Sequence, residues 1–164
     1  MIRIALTALA AFALSGCVIL ADSTDVDLDY DVGDDDAIQT YRVEGLPDWA
    51  PFSSVVRAGE TIYVSGHLGR LPGTETIVEG GAGPETTQTM ANIATSLELA
   101  GAKLDQLTRC TVYLTDMMDY AAMNAAYAEA LGATRPARVT AGVQELALGA
   151  RVEIACTAYA PDWD

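Results

Sequence analysis

The chain has 164 residues, 51% of them hydrophobic, and a formal net charge of −14. That length supports one domain with a real core and is short for two. The charge is uneven: eight aspartates lie between Asp22 and Asp36 with no basic residue among them, and from Ala37 onward eight basic residues stand against fifteen acidic ones, about −7. Such a surface repels phosphate backbones, so nucleic acid is not an expected partner.

The first elements read as targeting rather than fold. "MIRIALTALAAFALSGC" has Arg3 as a short positive region and an apolar run from Ile4 to Leu14, too short for a comfortable membrane span but suited to a signal peptide. "LSGC", Leu14 to Cys17, resembles the bacterial lipobox, which implies cleavage before Cys17 and lipidation of its thiol. Several acyl chains on one cysteine meet the need for more than one weak anchor. Val18, rather than an aspartate, follows the cysteine, which by the same resemblance implies the outer membrane of a Gram-negative envelope. The organisation expected is therefore a signal peptide at 1–16, a lipidated Cys17 with an acidic tether to residue 37, and a folded domain at 38–164. The run "DVDLDYD" lacks the glycine and closing glutamate of an EF-hand calcium loop, so a self-repelling tether is the simpler reading.

From Ile38 the patterns become globular. "IQTYRV" alternates as an edge strand, and "SSVVRAGETIYVSG" reads as two strands turning at Gly59. After "GGAGP", Met90, Ile93, Leu97 and Ala100 recur at helical spacing, with Pro84 in the first turn and Gly101 as the stop. "LTRCTVYLTD" is a further strand. A second helix carries Met123, Tyr127 and Leu131 inward, with Asp119 expected as its cap and Gly132 as its end. The final stretch, "RPARVTAGVQELALGARVEIAC", reads as a β-hairpin turning at "LALG".

Period-two alternation sorts these strands into faces. Ile62, Val64, Cys110, Val112, Leu114, Val152, Ile154 and Cys156 form an aliphatic face that two helices can cover. Thr61, Tyr63, Ser65, His67, Thr111, Tyr113, Arg138, Thr140, Gln144 and Glu153 fall on a second, semi-polar face, whose low charge suggests burial against another copy of the chain. The hairpin register places Arg138 opposite Thr157, with Glu153 roughly 13 Å along the same face, leaving space for a small molecule. Cys110 and Cys156 share the aliphatic face and, after export, an oxidising space; two buried thiols are the first reading and a disulfide the alternative, because pairing needs adjacent strands that the sequence does not specify.

"PFSSVVRAGETIYVSGHLG", "VYLTDM", "MNAAY" and "RPAR" together resemble the Rid (YjgF-like) family of enamine/imine deaminases, from about Ile38 to about Pro161. The resemblance implies a chorismate-mutase-like α+β fold, a mixed sheet with two helices on one face, and a homotrimer with ligand clefts between subunits. It implies that Arg138 binds a substrate carboxylate, that Glu153 positions water, and that Phe52, Ser65, Gly66, His67 and Asn124 line or support the cleft. Phe52 replaces the family's usual tyrosine, His67 its usual glutamine, and Thr140 stands where some members carry a cysteine.

The function expected is hydrolysis of 2-imino or enamine acids to 2-oxo acids and ammonia, with no cofactor and no metal, since one histidine and two remaining cysteines make no ligand cluster. The other reading is a non-catalytic module binding carboxylated metabolites, favoured by an extracytoplasmic location. An ion pair between Arg138 and Glu153, or between Arg151 and Glu153, is the purely structural alternative.

Overall fold

The computed structural model describes residues 38–161; the signal-like segment, Cys17 and the acidic tether lie outside the described residues. Six strands form one mixed sheet: β1 (Gln39–Tyr41), β2 (Val55–Ala58), β3 (Thr61–Leu68), β4 (Leu107–Leu114), β5 (Ala137–Gly142) and β6 (Val152–Tyr159), in the order β1-β2-β3-β6-β4-β5. Two helices, α1 (Ala82–Leu99) and α2 (Tyr120–Leu131), pack on one face. The core between the layers joins Ile62, Val112, Leu114, Val152 and Ile154 of the sheet to Met90, Ile93, Leu97 and Met123 of the helices, all fully buried. Each such side chain contributes roughly 1.5–3 kcal/mol of transfer free energy.

The helix ends follow the residues expected to set them. Gly101 takes a left-handed φ of 73°, and the N–H of Ala102 reaches back to Leu97 O at 2.8 Å, which stops α1. Gly132, at φ 58°, ends α2. The α2 cap differs from expectation. The Asp119 carboxylate turns away to Arg151, 3.0 Å from Nη1, while Asp116 Oδ1 accepts from the Met118 N–H at 2.8 Å in the short 3₁₀ turn ahead of the helix. Arg151 is thereby occupied, so the Arg151–Glu153 pair does not form.

The hairpin is overturned. β5 runs parallel to β4, and β6 lies antiparallel between β3 and β4, so β4 separates the two strands read as partners. Alternation specifies which residues share a face but not which strand lies alongside, and α2 supplies the crossover that a parallel β4–β5 pair needs. The correction moves Arg138. It is level with Cys110 and Cys156, on the helix-covered face, whereas Glu153 is level with Tyr113 and Ala141 on the open face. The two charges leave opposite faces of the sheet, two strands and three residues apart.

His67 changes face as well. A register shift between Val64 and His67 inserts an irregularity at Ser65–Gly66, and His67 then pairs with Ile154 and points toward α1. A bulge of this kind reverses the alternation beyond it. The two cysteines take the paired alternative rather than the first reading of free thiols. Cys110 and Cys156 sit directly opposite on β4 and β6, with Cα atoms 4.1 Å apart, and form a disulfide. The close spacing is that of a non-hydrogen-bonded antiparallel pair, a register only the true strand order reveals.

Candidate functional site

The expected site residues divide into two groups. The first surrounds Arg138 at the β5 edge. Its Nη2 donates to Asn124 Oδ1 at 2.9 Å and to the Tyr120 hydroxyl at 3.0 Å, and its guanidinium lies 4.9 Å from the centre of the Tyr127 ring. Tyr120, Asn124 and Tyr127 recur at helical spacing on α2, so one helix face holds and orients the arginine. Among the described residues no carboxylate pairs with Arg138, and it lines a cavity of about 240 Å³ together with Thr134, Arg135 and Pro136. The Tyr127 hydroxyl and Thr140 Oγ1 are buried without a hydrogen-bond partner among the described residues. Burial raises the Tyr127 phenol above its ordinary range, with nearby Arg138 opposing, so the hydroxyl stays protonated and able to donate. The sequence places Tyr127 inward on its helix but gives neither it nor Tyr120 a role beside Arg138, although their spacing from Asn124 is a readable signal.

The second group gathers at the end of β3. Phe52, Ser65, Gly66 and His67 line a cavity of about 560 Å³ with the loops around residues 43–52 and 70–75 and the segment at Leu148. Arg42 staples the first loop, donating from Nη1 to Phe52 O at 2.8 Å and from Nη2 to Pro47 O at 2.6 Å. Ser65 Oγ donates to Ser53 O at 2.6 Å, which ties the same loop to the strand. Asn92 of α1 donates to Leu68 O at 3.0 Å and Arg70 O at 2.8 Å, holding the second loop. No local sequence signal announces these loop partners.

Glu153 belongs to this second group through Gly66. A Cβ on Gly66 would lie 2.0 Å from Glu153 Oε1, so the glycine makes room for the carboxylate. Burial pushes the Glu153 carboxyl above its usual range. His67 is not free to titrate near neutrality. Its Nε2 lies 2.9 Å from Ser96 Oγ, and burial, assisted by the Arg70 charge, lowers its pKa to about 4. It is a neutral, packed imidazole.

A mixed six-strand sheet with two helices on one face is the YjgF-like α+β fold. Solved structures of that fold superpose closely: RidA of an Antarctic Psychrobacter has a TM-score of 0.66 at 34% identity, covering 74% of this chain and 97% of that one. A Rid-family protein of Yersinia pestis gives 0.70 at 30%, covering 75% and 99%. The endoribonuclease L-PSP family profile matches residues 45–160. The chain therefore belongs to the Rid/YjgF (endoribonuclease L-PSP) family. A RutC family protein of Pyrococcus horikoshii is 39% identical over 109 residues, 66% of this chain and 86% of that protein. A 2-iminobutanoate/2-iminopropanoate deaminase of Capra hircus is 38% identical over 104 residues, 63% of this chain and 76% of that protein.

Proposed function

We propose that the protein hydrolyses 2-imino or enamine acids to 2-oxo acids and ammonia. The observation that carries this reading is Arg138: a guanidinium held from one side by Asn124 and Tyr120, stacked on Tyr127, and without a carboxylate partner among the described residues. A planar fork oriented in this way suits bidentate capture of a substrate carboxylate. Relatives named as imine deaminases support the same reading.

In the reaction an enamine first tautomerises to its imine; water then adds to the C=N carbon as its proton passes by way of Glu153 to the nitrogen, giving a carbinolamine, and the hydroxyl proton follows the same route to the nitrogen as the C–N bond breaks, the carbonyl forms and ammonia leaves. Glu153 positions the water and accepts its proton. The burial that raises its carboxyl also makes it a better base than an exposed glutamate. Arg138 supplies capture and orientation.

Because Arg138 and Glu153 leave opposite faces, one chain does not aim both at the same substrate. A homotrimer would resolve this, with Arg138 and Asn124 of one protomer facing Glu153, Ser65 and Gly66 of its neighbour. The open sheet face supports such packing: Tyr63 and Val139 are about half exposed there, with Thr111, Tyr113 and Thr157 between. Tethering through Cys17 outside the cytoplasm is part of this proposal, and the Cys110–Cys156 disulfide supports it, since such bonds persist in oxidising compartments. The family's endoribonuclease description suggests RNA as a substrate, but the charge of about −7 from Ala37 onward stands against it.

The test generates 2-imino acids with an amino-acid oxidase and follows imine loss. Acceleration by wild type, reduced by Arg138→Ala and by Glu153→Gln, is expected. Tight binding of 2-oxo acids through Arg138 with no acceleration would instead establish the non-catalytic binding module.

A further inference from the structure

The larger cavity has a lining that the proposed chemistry does not require. About 560 Å³ is the size of a pocket for a whole small molecule rather than for a methyl group. Its walls include Leu46, Trp49, Phe52 and Leu148, and Trp49 is 80% exposed while Phe52 and Leu148 are about half exposed. Large apolar side chains left open around one concavity mark a binding surface. The polar atoms nearest the strand are already engaged: Ser65 Oγ donates to Ser53 O, and His67 meets Ser96. Phe52 brings no hydroxyl.

Leu148 adds an independent observation. It is the one non-glycine residue with positive φ among the described residues, at φ 58° and ψ 16°. That conformation disfavours a side chain with a Cβ and is ordinarily given to Gly, Asn or Asp. Gly149 beside it is also left-handed, so a glycine pair would make this turn more cheaply. A leucine instead occupies the strained position and places its side chain on the cavity wall rather than in the core. Strain of this kind persists where a side chain is needed at a site.

We propose that this cavity is the substrate's side-chain pocket, that Leu148 is a specificity-determining wall of it, and that the preferred substrates are imino acids with branched aliphatic or aromatic side chains. The proposal rests on the hydrolase reading. Gly66 lies both on the cavity and against the Glu153 carboxylate, so a substrate whose reacting carbon meets water at Glu153 extends its side chain toward Leu148. The charged residues on the cavity, Glu44 and Glu75 against Arg70, leave a negative balance that disfavours a second carboxylate. Acidic imino acids are therefore poor substrates.

The experiment compares imines generated in situ from leucine, phenylalanine, alanine and glutamate, with semicarbazide trapping the imine that escapes hydrolysis. A leucine-derived imine should exceed an alanine-derived one in kcat/KM by roughly tenfold or more, as three additional buried carbons allow. Leu148→Gly should narrow that ratio severalfold. The same substitution should not lower the thermal midpoint, since it relieves backbone strain; a merely structural leucine would lower it. Calorimetric binding of 4-methyl-2-oxopentanoate and pyruvate gives a second readout that needs no turnover. Preference for the larger oxo acid without hydrolysis of any imine would overturn the hydrolase reading and keep the pocket. Equal or better handling of the alanine-derived compounds in both assays, or a ratio unmoved by Leu148→Gly, overturns the pocket.

Discussion

Replacing His67 with glutamine should flatten the acid limb of the protein's stability profile. The imidazole lies against Ser96 beneath α1 with a pKa lowered to about 4, while an unfolded chain titrates near 6.5. Between those values the unfolded state binds a proton that the folded state refuses. Stability from this group is therefore complete above about pH 6.5 and is lost as pH falls toward 4, by about 3 kcal/mol in all. Glu153 acts in the opposite direction, because a raised carboxyl favours the folded state at low pH and loses that contribution as pH rises. Its effect cancels when variant and wild type are compared at each pH. Urea unfolding from pH 4 to 7.5, at one protein concentration, should show wild type losing stability relative to His67→Gln as pH falls. Parallel curves would refute the reasoning and mean that His67 is solvated or charged in the fold.

Further outcomes follow from the same geometry. Gly66→Ala places a methyl on the Glu153 carboxylate and should lower turnover by roughly tenfold or more, checked against retained 2-oxo acid binding. Reducing the Cys110–Cys156 disulfide, which closes a 46-residue separation, should lower unfolding free energy by about 2–4 kcal/mol; two alkylatable thiols in the denatured, unreduced protein would contradict the pairing. Cys17→Ser should abolish incorporation of labelled fatty acid and release the protein from membranes, and retention with an uncut N-terminus would point to a signal anchor.

What the sequence disclosed depended on how local each signal was. Met90, Ile93 and Leu97 announce α1 because helical spacing is contained in one segment, and Gly101 and Gly132 end their helices through backbone freedom at single positions. Strand partners are not local. β5 and β6 alternate as a hairpin would, yet β4 lies between them, and only that order reveals Cys110 opposite Cys156 and Arg138 on the helix face. The bulge at Ser65–Gly66 carries no unambiguous signature in "VSGHL", so simple alternation puts His67 on the opposite face from the one it occupies. At the candidate site, the sequence names Arg138 and Asn124 but not the hydrogen bond between them, and it names Phe52, Ser65, Gly66 and His67 but not the loops distant in sequence that complete the large cavity.

The central claim is that Arg138 of one protomer and Glu153 of another serve one substrate. Arg138→Ala alone removes a charge-assisted contact and should cost about ten- to a hundredfold in kcat/KM, with Glu153→Gln also impaired. The most direct measurement co-expresses the two variants and assays imine hydrolysis by the mixed assemblies. In randomly mixed trimers roughly a quarter of the interfaces combine an intact Arg138 with an intact Glu153, so activity should recover toward that fraction of wild type. Activity no greater than the average of the two variants, in assemblies shown to contain both chains, would contradict the shared site.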